Sequence, residues 1–199
     1  DETKRKPISA AMPALAPDFT RPSSKLLPFT QLADGDIYAP EVGHSGGFPA
    51  ARSKKEGRAW LAHCYAMVGV GRGDTTDSGS GAELYVVIGH APRHLDRNIT
   101  LAGRVLKGME LLSTLPRGTG PLGFYEKPEQ YVPIMSLRVA ADVPEAERTY
   151  LEVMRTETST FKDFVASRRT RRESWFVQPT GHVELCNINV PVRPATAAK

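Results

Sequence analysis

The sequence predicts a mainly β protein, and three observations carry that prediction. Ala59–Val70, Glu83–Ile88 and Ile99–Leu106 are runs rich in Val, Leu, Ile, Tyr and Trp, the residue types that fit a pleated, half-buried surface. Glycine, aspartate and serine clusters separate these runs, the clearest being GRGDTTDSGSG at 71–81, which neither a helix nor a strand interior tolerates. The 199 residues, 40% hydrophobic and 24% charged, suit one folded domain with a modest core.

Upstream of these runs, residues 1–56 hold seven of the sixteen prolines, at positions 7, 13, 17, 22, 28, 40 and 49. Proline lacks a backbone donor and biases its predecessor toward extended conformations, so this stretch is expected to be an extended arm packed over the rest of the domain, which spans 57–199. Downstream, Gly108–Leu115 predicts a short amphipathic helix and Pro133–Val139 a further strand. Asp142 with Pro144 reads as a helix start, with Ala146, Tyr150, Leu151, Val153 and Met154 near one face. A second start at Thr160–Asp163 completes a helical insertion over about 144–170, before Trp175–Val177 and His182–Val192 return to strand-like alternation. No repeat or low-complexity segment is present.

No apolar stretch approaches the ~20 residues of a membrane-spanning helix, so a soluble chain is expected, with no membrane insertion. Lys and Arg exceed Asp and Glu by 26 to 22, a net +4, densest at Arg168, Arg169, Arg171 and Arg172. That patch reads as a solvated face, because a nucleic-acid surface would interleave basic and aromatic residues along a groove; no nucleic-acid partner is expected. Cys64 and Cys186 each lie in an apolar run, where a free thiol behaves as a small buried hydrophobe, and a disulfide between them stays open as an alternative. The histidines at 44, 63, 90, 94 and 182 form no ligand pattern, so no metal is expected.

The ordered motifs say more. GAELYVVIGHAPRHLD at 81–96, followed by ITLAGRVLKGME at 99–110 and preceded by AMVGVG at 66–71, resembles the signature half of the bacterial cyclophilin-type peptidyl-prolyl cis-trans isomerases. In that family a Gly-Ser-Gln-Phe-Phe-Ile strand leads to a Trp-or-His-Leu-Asp loop, a Phe-Gly-Arg-Val strand and a Gly-Met-Glu helix. A Ser-Met-Ala-Asn-Ala-Gly segment lies upstream of them. The resemblance covers about 57–140, with the final strand near Val183–Val190. It implies a closed antiparallel β-barrel with capping helices, and isomerisation of X-Pro bonds in proline-containing polypeptides during folding, without a cofactor. A periplasmic location is the accompanying expectation.

By this resemblance Met67, Val68 and Gly69 wall the proline pocket and Tyr85 floors it. Glu83 stands where a glutamine hydrogen-bonds the substrate backbone, and His94 with Leu95 closes the far side. Four departures accompany these roles. Ile99 replaces the family's loop histidine, Arg97-Asn98 its Gly-Lys, and the spacing from Tyr85 to His94 needs a one-residue adjustment. The Phe-His-Arg strand and Phe-Met-x-Gln-Gly-Gly-Asp segment have no match, so no catalytic arginine is nominated. The chain starts Asp1-Glu2-Thr3, which suggests an incomplete chain cut in or just after that Gly-Gly-Asp.

Two other readings compete. A cyclophilin-like barrel without its arginine would serve as a non-catalytic peptide-binding or scaffold domain. GHSGG at 43–47 fits the G-x-S-x-G pattern of a serine-hydrolase elbow, with Ser45 as nucleophile and Asp96 or Asp142 and His182 following in chain order. Its flanks are a poor strand and a poor helix start. Arg72-Gly-Asp74 is an adhesion tripeptide of a kind that arises by chance in glycine-rich turns, and Gly69-x-Gly71 lacks the third glycine of a nucleotide fingerprint.

Overall fold

The structure, a computed structural model, describes residues 14–25 and 28–195; Pro7, Pro13 and the start of the expected arm lie outside them. Strands dominate. An antiparallel sheet of five contains β1 (Arg21–Pro22), β2 (Phe29–Gln31), β3 (Glu41–Ser45), β4 (Phe48–Ser53) and β5 (Arg58–Leu61) in the order β1-β5-β4-β3-β2. A second sheet contains β6 (Met67–Val70), β7 (Leu84–Val86) and β8 (Leu101–Arg104), with β6 in the middle. Two short strands near the C-terminus, β9 (Leu151–Val153) and β10 (Val192–Pro194), pair with each other.

The five-stranded sheet corrects the expectation of an arm over 29–53. Its prolines mark strand ends instead of excluding strands: Pro28 precedes β2, Pro40 precedes β3, Pro22 ends β1 and Pro49 is the second residue of β4, the positions where a missing donor costs least. The β3–β4 hairpin is set by Gly46 and Gly47, both at positive φ, 56° and 83°, as a two-residue turn matched to strand twist requires. This turn puts Glu41 opposite Arg52, and their side chains form an ion pair at 2.5 Å, with Lys54 joining at 2.6 Å.

Helix α1 (Met109–Ser113) follows Gly108, at φ 92°. Helix α2 (Ser159–Arg169) starts at Thr158, whose hydroxyl accepts the Phe161 N–H, and ends with Arg168 and Arg169 in its last turn, where cations favour the helix dipole. Arg169 also pairs with Asp34 at 2.8 Å, so part of the basic patch tethers the helix. The helical insertion is therefore shorter than expected. Residues 145–147 form one 3-10 turn, and Leu151–Val153 is a strand because β10 supplies a partner from far along the chain. The expected strand at 133–139 pairs with nothing among the described residues and exposes Ile134, Met135 and Leu137. Trp175 and Val177 are likewise exposed, and the expected final strand near Val183–Val190 does not form: Leu185–Asn187 is a 3-10 turn, although the segment buries Val183, Leu185, Ile188 and Val190.

These four residues join Val42, Ala51 and Trp60 of the first sheet, Met67 of the second and Phe161 of α2 in one core. Cys64 and Cys186 form a disulfide across 122 residues, Cα–Cα 4.9 Å, in place of the buried free thiols expected, and it pins the C-terminal segment to the start of β6. No helix among the described residues is long and apolar enough to cross a membrane.

His44 on β3 is 1% exposed and edge-on to Phe161 at 5.0 Å. Burial, reinforced by the charge of Arg104 and partly offset by a bond to the Ile188 backbone, pushes its pKa from 6.5 down to about 4. The unfolded chain therefore binds the extra proton first. The stability His44 confers is complete above pH 6.5 and is lost as pH falls toward 4, a loss of about 3 kcal/mol. Urea unfolding at pH 7 and pH 4.5 should show this decline, and His44→Phe should flatten it; an equal decline in the variant would refute the assignment.

Candidate functional site

The site is built where β6 and β7 lie side by side. Their register sets Gly69 directly opposite Tyr85, and the Tyr85 ring lies across the glycine so closely that a Cβ there would overlap both ring and hydroxyl. Glycine at 69 is thus a condition for the position of Tyr85. A bulge between Val68 and Gly69 on the β8 side adjusts the pairing at the same point.

Tyr85 is half-buried, and its hydroxyl sits 2.8 Å from Nε2 of His63 with the two rings nearly parallel. His63 is fully buried; its Nδ1 lies 2.9 Å from Oδ1 of Asp96, which also accepts the His63 backbone N–H at 2.9 Å. The other Asp96 oxygen accepts from Nε of Arg93 at 2.6 Å, and Nη1 of Arg93 donates to Asp36. Arg93 is itself buried, with its guanidinium 5.0 Å from the Tyr38 ring centre. Five side chains from four segments therefore form one hydrogen-bonded chain. Burial lowers the pKa of Arg93, but Asp96 and Asp36 outweigh it and hold the value raised. Burial and then the Asp96 charge push Tyr85 up to about 12, so its hydroxyl stays protonated at neutral pH.

The other expected site residues are placed unevenly. Met67 is completely buried and its side chain belongs to the core, while Val68, opposite Val86, is partly exposed. Glu83 is exposed, packs against Gly71 and accepts the Gly71 N–H at its carbonyl, 2.8 Å. Leu95 is half-buried at the end of a 3-10 turn (Arg93–Leu95), and the exposed His94 lies beside it. A cavity of 450 Å³ lined by Asp36, Tyr38, Arg93 and His182 opens at the Asp36 end of the hydrogen-bonded chain. Another, of 330 Å³, lies between Phe19, Phe48, Trp60 and Leu101. Tyr85 lines neither.

Sequence reasoning missed His63, Arg93 and Asp36, and counted Asp96 only as a hydrolase partner. One signal was available: His63 stands inside the apolar run Trp60–Cys64, and a buried imidazole demands polar partners.

The hydrolase reading is overturned. Ser45 ends a strand that turns through Gly46-Gly47 into another strand, not into a helix. Asp96 serves His63, His182 lies 3.7 Å from Asp34, and Asp142 ends a separate 3-10 turn. Arg72 of the Arg-Gly-Asp triplet is engaged as well, donating to the carbonyls of Asn98, Gly73 and Thr75 and so closing the glycine-rich loop on itself.

The ordered strands and the aromatic side chain fixed over Gly69 define a β-rich domain built around Tyr85. Residues 27–139, more than half of the chain, match the family model described as cyclophilin type peptidyl-prolyl cis-trans isomerase/CLD. The chain belongs to the cyclophilin-type peptidyl-prolyl isomerase family. In fold it is similar to the crystal structure of the cyclophilin AquaCyp293 from Hirschia baltica, with a TM-score of 0.69 and 21% identity over 98% of this chain and 70% of that one. The search of curated proteins finds no match. The family match reaches upstream of residue 57, where the legible motifs begin, and takes in β2, β3 and β4.

Proposed function

We propose that this chain catalyses cis–trans isomerisation of X-Pro bonds in proline-containing polypeptides, with Tyr85 as the floor that receives the proline ring. Amide resonance sets the barrier at ~20 kcal/mol, and lowering it requires contacts that are stronger in the twisted state than in the planar one. An aromatic face fixed on a rigid strand grips the ring. Glu83 is suited to accept a substrate N–H, which a carboxylate can do although it cannot donate as an amide would. The observation that carries the reading is the Tyr85–Gly69 pairing within the ordered family motifs.

A peptide-binding domain without catalysis is the second reading. It is favoured by the absence of an arginine contact to Tyr85 among the described residues, since buried Arg93 is taken up by Asp36 and Asp96. An isomerisation assay on a proline peptide, followed by NMR exchange, separates the two. Tyr85→Ala should lower kcat/KM at least about tenfold, because the truncation takes away most of an aromatic face. Peptide binding without any acceleration of exchange would establish the second reading and sink the first.

We also read the two larger sheets as parts of one closed barrel, supported by the core they share. A role in protein folding follows from the chemistry. An oxidising compartment such as the periplasm is supported by the Cys64–Cys186 disulfide.

A further inference from the structure

We infer that His63 is a positioning residue for the isomerase site, acting through the Tyr85 hydroxyl; the inference rests on the reading of Tyr85 as the proline floor. The direction of each hydrogen bond follows from the partners. Ionised Asp96 only accepts, so the Nδ1 of His63, 2.9 Å away, donates to it. In the neutral imidazole Nε2 then has only a lone pair, and the bond at 2.8 Å must run from the Tyr85 hydroxyl to His63. Tyr85 is thereby anchored at its tip as well as at its backbone.

That anchor has a chemical consequence. A tyrosine whose hydroxyl is already committed offers its ring face, and not its donor, to whatever lies on it. The floor is apolar toward substrate although the residue is polar. His63 in turn is held twice by Asp96, at the ring and at the backbone N–H, and Asp96 is oriented by Arg93, which Asp36 holds from the loop before β3. Asp36 precedes the strands that the signature motifs identify, so the proline-rich stretch contributes the far end of the site's support. Gly69 supplies the space in which the anchored ring lies, since a Cβ there would overlap it.

A hydroxyl deprived of its buried acceptor swings out to find water or a new partner, carrying the ring with it. His63→Ala should therefore lower kcat/KM on a proline peptide about tenfold in the parent chain, mostly through KM, the cost of a half-buried polar group left unmade. In a Tyr85→Phe background, whatever that change costs by itself, the same His63→Ala should cost less than about twofold, since no hydroxyl remains to be anchored. Equal losses in the two backgrounds would overturn the inference and leave His63 a general structural residue. Should the parent chain show no isomerase activity, the functional reading fails separately. The anchor is then read from the 15N spectrum of His63. A protonated Nδ1 with an accepting Nε2 that loses its hydrogen-bond shift in Tyr85→Phe supports it, and the opposite tautomer refutes it.

Discussion

Asp96→Ala should lose about 3–5 kcal/mol of folding stability, the range for breaking a buried ion pair from one side. The carboxylate is the junction of the buried chain, taking the Arg93 guanidinium on one oxygen and both donors of His63 on the other. Its removal leaves Arg93, with a side chain only 5% exposed, on the single carboxylate of Asp36, and strands two His63 donors. Burial decides the magnitude: Arg155 and Glu157 sit at a similar 2.7 Å but are 76% and 38% exposed. Glu157→Ala should therefore leave the urea midpoint close to the parent's. Urea titrations of both variants check the contrast, and comparable midpoints would show that the buried chain contributes no more than a surface pair.

Removing the Cys64–Cys186 bond should be of similar size. The bridge closes a loop of 122 residues, and the chain-entropy model gives a tie of that length about 5 kcal/mol. Thermal unfolding with and without reductant should differ markedly for the parent. The Cys64→Ala/Cys186→Ala variant should unfold at the reduced parent's temperature and ignore reductant. Identical melting of the oxidised and reduced parent would refute the role of the tie. Packing of Val183, Leu185, Ile188 and Val190 in the core should keep the C-terminal segment docked in the reduced chain, so the effect is expected in stability before it is seen in shape.

Much of the second sheet was legible because its signals are local. Alternating β-branched residues, the glycine-rich loop and the order of the motifs located β6, β7 and β8 and placed Tyr85 near Gly69. The first sheet was hidden by its prolines, whose meaning depends on whether they fall inside a strand or at its end. Leu151–Val153 has a spacing that suits either a helix or a strand, and the partner that decides it, Val192–Pro194, is remote. Polar support for the site was illegible for a different reason. Asp36, Arg93 and His63 each resemble surface residues until a fold brings them together, and only the apolar neighbours of His63 hinted otherwise. The same holds for the cysteines, whose pairing is a property of three-dimensional proximity.

The position of the two cysteines also sets a schedule. A ribosome adding roughly 5–20 residues each second delivers Cys64 well before Cys186, and the 122 intervening residues take on the order of ten seconds at that pace. The β3–β4 hairpin and its neighbours, being contiguous in sequence, form in far less time. For that interval the first thiol waits unpartnered, one residue after the histidine beneath Tyr85, and the bond closes only after the 122-residue stretch to Cys186 has been made. Oxidation therefore follows the docking of the segment around Cys186 onto the strands made before it, and reports that this segment has arrived.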